Sequence, residues 1–376
     1  MKIVLTGGGT GGHFYPILAV GRSLPTAADE VRQMNLRMIY MSSDPYDAGA
    51  LANAGIQFSM VRSGKIRRYV SFQNLIDPFK TLFGIIGAIW KFFVDPPDAV
   101  FSTGGHEAFP VLVAAHLFRI PTLIYEADAT PGRVTMYAAK FADRIAINFS
   151  EAAAHLPAER TAVTGHPVRR ELFGGITTAA LARFGLTDIL PVLIVLGGSQ
   201  GAEALNDLII SALPRLRTRV HIIHQTGETH EQLVKDEVSL LNRDQVSTIA
   251  GTYVPKGFFS EEELRDLGAV ARIVIARAGA GTIAEIASWG VPAILIPLPE
   301  SAQDHQRLNA YAYARIGAAE VLEQQNCTPN VLASRVEYML DTEDVAARMQ
   351  NAARAFSRSD AAVTIARELL SMARHD

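Results

Sequence analysis

The chain has 376 residues, 49% hydrophobic and 19% charged, enough to bury a large core over about two domains and too apolar to be disordered. A net charge of −3 argues against general nucleic-acid binding. Cys327 is the single cysteine, which excludes an intrachain disulfide and a cysteine-built metal site and fits the cytosol. Taken in chain order, short continuous apolar runs predict strands at 2–6, 36–41, 98–102, 121–125 and 144–147. A second series follows at 192–196, 219–224, 246–250, 272–276 and 292–296. Between them, 3.6-residue periodicity predicts helices such as Tyr15–Leu24, Pro110–Phe118, Ala202–Leu213, Thr282–Trp289 and His305–Arg315. The final 30 residues, rich in Ala and Arg and without glycine, read as helix. Strand and helix alternate throughout, so the class is α/β with parallel sheets. The boundary between halves falls near Gly165–Arg169. Ile3–Leu5 is too short for a signal-peptide core, and no run of about 18 uncharged apolar residues predicts a membrane span.

Four of the predicted strands run straight into a glycine-rich turn followed by a helix: Gly7–His13, Gly104–Glu107, Gly197–Gly201 and Gly279–Thr282. A helix start of this kind presents backbone N–H groups and the positive end of the helix dipole, which favours phosphate. Paired as two and two, the turns predict two similar halves. Gly7, Gly9 and Gly12 satisfy G-x-G-x-x-G, a pattern shared with dinucleotide-binding oxidoreductases. Those carry an acidic residue at the end of the second strand, where this chain offers only the late Asp44. His13 follows the first turn at a helix N-terminus, where the dipole favours a neutral ring that can act as base, hydrogen-bond partner or cap. Thr282 and Glu285 have capping-box spacing, and Glu285 equally suits a ribose diol. Gln306 opens another helix and suits sugar hydroxyls or a cap.

Five elements occur in fixed order: Gly8–His13 with Pro16, Gly165–Arg170, Leu196–Ala202 with Asn206, Arg277–Glu285 with Gly290–Pro292, and Asp304–Asn309. Together they resemble the MurG family of bacterial N-acetylglucosaminyltransferases, glycosyltransferase family 28, over most of the chain. The resemblance implies the GT-B fold: two Rossmann-like domains with parallel sheets facing across a cleft. It implies domains 1–165, facing acceptor and membrane, and 166–354, binding the UDP-sugar, with a helix at about 355–376 packing back on the first. The implied reaction is inverting. N-acetylglucosamine passes from UDP-N-acetylglucosamine to the C4 hydroxyl of the muramic sugar in undecaprenyl-pyrophosphoryl-MurNAc-pentapeptide, turning lipid I into lipid II. The implied location is peripheral, on the cytoplasmic face of the inner membrane, with no cofactor and no metal.

Carried over residue by residue, the resemblance places Ser199 on the donor diphosphate and Arg169 on the nucleotide. Ala280, Gly281, Thr282, Ile283, Ala284 and Glu285 hold donor sugar and ribose, with Gln306 on the sugar. The uracil contact falls at Phe258 or Phe259. Thr10, Gly11, Gly12 and Asp128 face the donor from the first half. His13, Gly104, Gly105 and His106 take the acceptor, with His13 the first candidate for base and Glu126 the second. The first half departs from the family: G-G-Y is here Gly104-Gly105-His106, and H-E-Q-N-A is here Tyr125-Glu126-Ala127-Asp128-Ala129. Asn to Asp at 128 replaces an amide by an acceptor-only carboxylate, which repels a diphosphate.

Within 75–94, Phe79, Leu82, Phe83, Ile86, Trp90 and Phe93 recur at helical spacing between Lys80 and Lys91, with Lys65, Arg67 and Arg68 upstream. From the residues alone the stripe reads as a core helix with snorkelling lysines. The resemblance makes Phe79, Leu82, Phe83, Ile86 and Trp90 a patch for an anionic membrane. Other readings of the chain are a GT-B enzyme with another acceptor, such as a diacylglycerol glycosyltransferase, or a UDP-N-acetylglucosamine 2-epimerase. An NAD-dependent oxidoreductase and a non-catalytic sugar-nucleotide-binding scaffold also stand.

Overall fold

The computed structural model describes residues 1–33, 35–64, 73–198, 201–243, 251–299 and 301–374. The chain divides into two compact units, Met1–Arg169 with Arg358–Asp376, and Arg170–Ser357.

The first unit alternates β1 (Lys2–Thr6), α1 (Gly11–Glu30), β2 (Arg37–Ser42), α2 (Ala48–Asn53), β3 (Ile56–Met60) and α3 (Gln73–Val94). It continues with β4 (Ala99–Ser102), α4 (Phe109–Phe118), β5 (Thr122–Glu126), α5 (Arg133–Ala138), β6 (Arg144–Ile147) and β7 (Thr161–Val163). The second carries α6 (Thr177–Phe184), β8 (Val192–Leu196), α7 (Glu203–Leu216), β9 (His221–Gln225), α8 (Glu231–Arg243), β10 (Tyr253–Lys256) and α9 (Glu261–Val270). Then come β11 (Ala271–Ala276), α10 (Ala280–Trp289), β12 (Ala293–Leu295), α11 (His305–Arg315), β13 (Ala319–Val321), α12 (Pro329–Asp341) and α13 (Glu343–Phe356). After a break at 357–360, α14 (Ala361–Ala373) returns to the first unit. The single C-terminal helix expected from composition is thus two helices, α13 and α14, one in each unit.

Among the described residues, the first sheet has seven strands in the order β3-β2-β1-β4-β5-β6-β7, and the second six in the order β10-β9-β8-β11-β12-β13. Every pairing is parallel. The central strands are buried on both faces, which is why they read as unbroken apolar runs. One face of the first sheet is closed by Phe14, Ile17 and Leu18 of α1 with Ile365, Leu369 and Leu370 of α14. The other is closed by Phe92 of α3 and Val111 and Ala115 of α4. In the second unit Leu205, Ile209, Leu332 and Val336 pack on Leu193, Val195 and Ile275.

Each sheet reverses its strand order once, between β1 and β4 in the first and between β8 and β11 in the second. The four glycine turns follow the C-terminal ends of those four strands. In open parallel sheets ligands bind at such reversal points, outside the carboxyl ends of the strands. The strand expected at 246–250 lies outside the described residues, and one edge strand of the second sheet is β10, whose Pro255 is tolerated at an edge.

Candidate active site

In the first unit the turn after β1 is interlocked with the turn after β4. A Cβ on Gly7 would overlap Thr103, one on Gly8 the Glu107 carboxylate, and one on Gly9 would lie 2.9 Å from His106 Cε1. Gly9 also sits at φ +87°, in the left-handed region. Tyr40 donates its hydroxyl to the Gly7 carbonyl at 2.6 Å, fixing the turn from β2.

Helix α1 starts at Gly11 with Thr10 as its N-cap, without a side-chain capping bond. The His13 and Phe14 amides bond the Thr10 carbonyl, each at 3.2 Å, which leaves the amides of Gly11 and Gly12 as the first-turn donors. His13 Nδ1 lies 2.8 Å from the Thr103 carbonyl, while Thr103 Oγ1 donates to the His13 carbonyl at 2.9 Å. A carbonyl only accepts, so Nδ1 carries the proton and Nε2 carries the lone pair. That edge of the ring faces the second turn: a Cβ on Gly105 would lie 3.4 Å from Nε2. Gly104 is fixed by its amide on Ser102 Oγ at 3.0 Å. Asp44, the candidate ribose ligand of an oxidoreductase, accepts the Tyr46 amide at 2.7 Å in its own turn.

Glu126 ends β5 and is buried. Its two carboxylate oxygens accept the amides of Asp128, 3.1 Å away, and Gly132, 3.0 Å away. Burial first, and the Asp128 charge second, push its carboxyl up to about 7, against the hydrogen bonds that hold it down. Asp128 thus stands beside Glu126 in the first unit, the unit that also contains Thr10, Gly11 and Gly12. Arg169 is also in the first unit, its guanidinium 4.0 Å over the Tyr15 ring. Nearby His166 shares a 2.7 Å hydrogen bond with the Tyr125 hydroxyl, and burial lowers its pKa to about 4, so the ring is neutral.

In the second unit Ser199 lies outside the described residues. On its flanks the Gly197 amide donates to the Gln225 carbonyl at 3.3 Å, and Asn206 of α7 donates to the Thr226 carbonyl at 3.0 Å. Helix α10 is capped by Gly279, not Thr282, and no side-chain capping bond is present. The capping-box expectation therefore fails: Thr282 lies one turn into the helix, because Ala280 and Gly281 are already helical. Ile283 and Ala284 are buried, whereas Gly281, Thr282 and Glu285 are partly exposed on the first turns. Gln306 accepts the Leu298 amide at 3.0 Å, which points its NH2 group elsewhere as a donor. Phe258 is exposed, but Phe259 is buried edge-on against Phe184. Of the two, only the Phe258 ring is open to a ligand; the Phe259 side chain belongs to the core.

Two residues of the motifs carry more than their sequence suggested. Buried Arg277 donates to the Ile296 carbonyl at 3.0 Å and to Gln324 Oε1 at 2.7 Å. Buried Asn309 donates to the Ala278 carbonyl at 3.3 Å. Together they tie the turn before α10 to the loop that holds Gln306. The signal was available, since a polar side chain at a predicted strand end in an apolar stretch needs a partner.

The stripe on α3 is not core. Phe79, Leu82, Phe83, Ile86 and Trp90 are 52–65% exposed, and Phe93 and Val94 extend the patch. The helix buries its other side through Ala88 and Phe92. Lys65, Arg67 and Arg68 lie outside the described residues. Among the described residues no helix is long and apolar enough to cross a membrane, and no cluster of His, Cys, Asp and Glu is placed to hold a metal ion.

Residues 3–147 match the glycosyltransferase family 28 N-terminal domain and residues 192–365 its C-terminal domain. A UDP-N-acetylglucosamine–N-acetylmuramyl-(pentapeptide) pyrophosphoryl-undecaprenol N-acetylglucosamine transferase of Clostridium botulinum is 32% identical over 92% of both chains. Transferase 2 of the same name from Bacillus cereus is 35% identical over 89% of this chain and 90% of its own. The crystal structure of Acinetobacter baumannii MurG superposes with a TM-score of 0.75 at 26% identity, covering 98% of this chain and 99% of that one. Staphylococcus aureus MnaA, solved with UDP, shares the fold at 13% identity and a TM-score of 0.65, over 97% and 94% of the two chains. Two parallel-sheet Rossmann-like units of the GT-B kind, matched along nearly their whole length, place the chain: it belongs to glycosyltransferase family 28.

Proposed function

We propose that this chain transfers N-acetylglucosamine from UDP-N-acetylglucosamine to the C4 hydroxyl of the muramic sugar in undecaprenyl-pyrophosphoryl-MurNAc-pentapeptide, with inversion. The first unit takes the acceptor and the second the UDP-sugar. The observation that carries the mechanism is the His13 ring, fixed by Thr103 with its Nε2 lone pair beside the second glycine turn. Nε2 removes the proton of the C4 hydroxyl as that oxygen attacks the anomeric carbon from the face opposite UDP. The anomeric C–O bond to UDP breaks, its electron pair leaves with the diphosphate, and a β-linkage results. Charge developing on the diphosphate is met by amides at the start of α10 and in the Gly197–Gly201 turn, with Ser199 and Arg169 as further contacts. This electrostatic work requires no bound metal.

Glu285 accepts the ribose hydroxyls, Gln306 donates to the donor sugar, and Phe258 stands against the uracil. Glu126, with both oxygens already on backbone amides, holds its loop in shape and ranks second to His13 as base. The exposed stripe of α3 rests on an anionic membrane with Lys80 and Lys91 at its border, which puts the protein on the cytoplasmic face of the membrane.

The test is transfer of radiolabelled N-acetylglucosamine from its UDP donor to a short-chain, water-soluble lipid I analogue. Wild type should give a product one sugar longer, and His13→Ala should lower kcat by roughly 10²–10⁴-fold with little change in UDP affinity. Conversion of the donor to its 2-epimer without transfer would replace this reading by the epimerase one. Near-normal kcat in His13→Ala, with loss in Glu126→Gln, would reverse the two roles.

A further inference from the structure

We propose that Glu107 is a positioning residue of the acceptor subsite, locking the first glycine turn and orienting His106 toward the acceptor's diphosphate. This rests on the lipid-linked acceptor read above, and gives a role to Glu107, the last residue of the second glycine turn, to which the resemblance assigned none.

Glu107 is a buried carboxylate directly after His106. Burying an ionised carboxylate is costly unless it is paired and hydrogen-bonded. Its Oε2 accepts the hydroxyl of Ser42, at the end of β2. Its Oε1 lies 3.8 Å from His106 Nε2. The same carboxylate fills the space a Cβ on Gly8 would need, and the Cε1 edge of His106 fills that of Gly9. The turn is therefore glycine for two reasons. A phosphate can approach its backbone from one side, and the Glu107–His106 pair already packs on the other.

His106 is about one-third exposed, so its ring spans from the buried carboxylate to the open face of the site. With Nε2 toward Glu107, the opposite nitrogen, Nδ1, lies along Gly9, on the approach to the first turn of α1. His13, itself in that first turn of α1, faces the second glycine turn at Gly105, and Ser63 Oγ donates to the His106 carbonyl at 2.8 Å. A diphosphate at the start of α1 would meet both the helix amides and the His106 ring, which packs between Glu107 and Gly9. Because Glu107 acts through His106, the two should behave as one unit.

The experiment is a double-mutant cycle with His106→Asn and Glu107→Gln, read as separate KM values for UDP-N-acetylglucosamine and for the water-soluble lipid I analogue. Each single variant should raise the acceptor KM by about tenfold, leave the donor KM within about twofold and change kcat little. The double variant should be no worse than His106→Asn alone. Independent, multiplying effects on acceptor KM would overturn the proposal, as would an unchanged acceptor KM in His106→Asn. Glu107→Asp, which keeps the charge, should recover part of the acceptor KM. If Glu107→Gln does not fold, Ser42→Ala, which loosens the same carboxylate from β2, takes its place in the cycle under the same criteria. A wild type that transfers nothing to this acceptor sinks the functional reading and this proposal with it. A wild type that transfers normally while the variants match it sinks the Glu107 assignment alone.

Discussion

Replacing Glu126 by Gln should leave the protein about as stable as wild type in mild acid and make it more stable than wild type at alkaline pH. In the folded protein the Glu126 carboxyl titrates at about 7, against an ordinary value of 4.5. A carboxyl raised in this way contributes stability that is fully present below the unfolded value. That contribution is lost as pH rises through the folded value. The gap corresponds to roughly 3 kcal/mol, at about 1.4 kcal/mol per pH unit. Glutamine mimics the protonated side chain: its one carbonyl oxygen accepts either the Asp128 or the Gly132 amide, as the neutral acid would. At pH 5 the two proteins should therefore be close in stability. At pH 8 the mutant should be more stable by about 2–3 kcal/mol, since only the wild type then buries a charge beside Asp128. Urea unfolding at half-unit pH steps measures the difference. A difference that stays flat from pH 5 to 8, or moves in favour of wild type, would refute the reasoning and show that the two amide bonds outweigh burial.

Glu285→Ala should weaken UDP binding by about 1–3 kcal/mol, read by calorimetry, through loss of an acceptor for the ribose hydroxyls. Because Gly279 and not Thr282 caps α10, the helix itself should be spared, and unchanged affinity in the folded variant would remove Glu285 from the site. Phe83→Ser with Trp90→Ser should release the protein from anionic liposomes in co-sedimentation. Turnover of a water-soluble acceptor should persist and stability change by under about 1 kcal/mol, because both rings are exposed. Unfolding of this pair would mean that the stripe is packed after all.

The parts of the fold legible in the sequence are those buried on both faces. Residues 3–5, Val192–Leu196 and residues 273–276 are continuous apolar runs because helices cover both sides of them. The strands with no counterpart in the sequence reading are β3, β7, β10 and β13, the edges of the two sheets. Each is short, half-covered or interrupted: β3 buries only Ile56, and β10 contains a proline. An edge strand has one neighbour and needs no apolar run, so hydropathy does not mark it. The end of α13 was hidden for another reason. Its break from α14 carries no glycine or proline, only the polar stretch from Ser357 to Asp360.

Within the site, legibility followed the backbone and failed at side chains that act through one another. A glycine turn after a strand announces itself in any sequence, and all four stand where the sheets reverse. Thr282 and Glu285 matched a capping box in spacing, yet spacing does not say where a helix begins, and α10 begins three residues earlier than that motif requires. Phe259 and Phe258 are indistinguishable in sequence, and only the packing of Phe184 separates a core ring from an available one. The stripe on α3 was ambiguous because an apolar face is the same whether protein or lipid covers it. The exposed rings decide against protein within this unit. Glu107 is the sharpest case. Nothing at its own position marks it, but it explains the positions that face it. Glycines 8 and 9 are demanded by the carboxylate and the ring that sit on them as well as by a phosphate. Substituting Gly8 by Ala should therefore disturb Glu107 and His106 before any ligand binds.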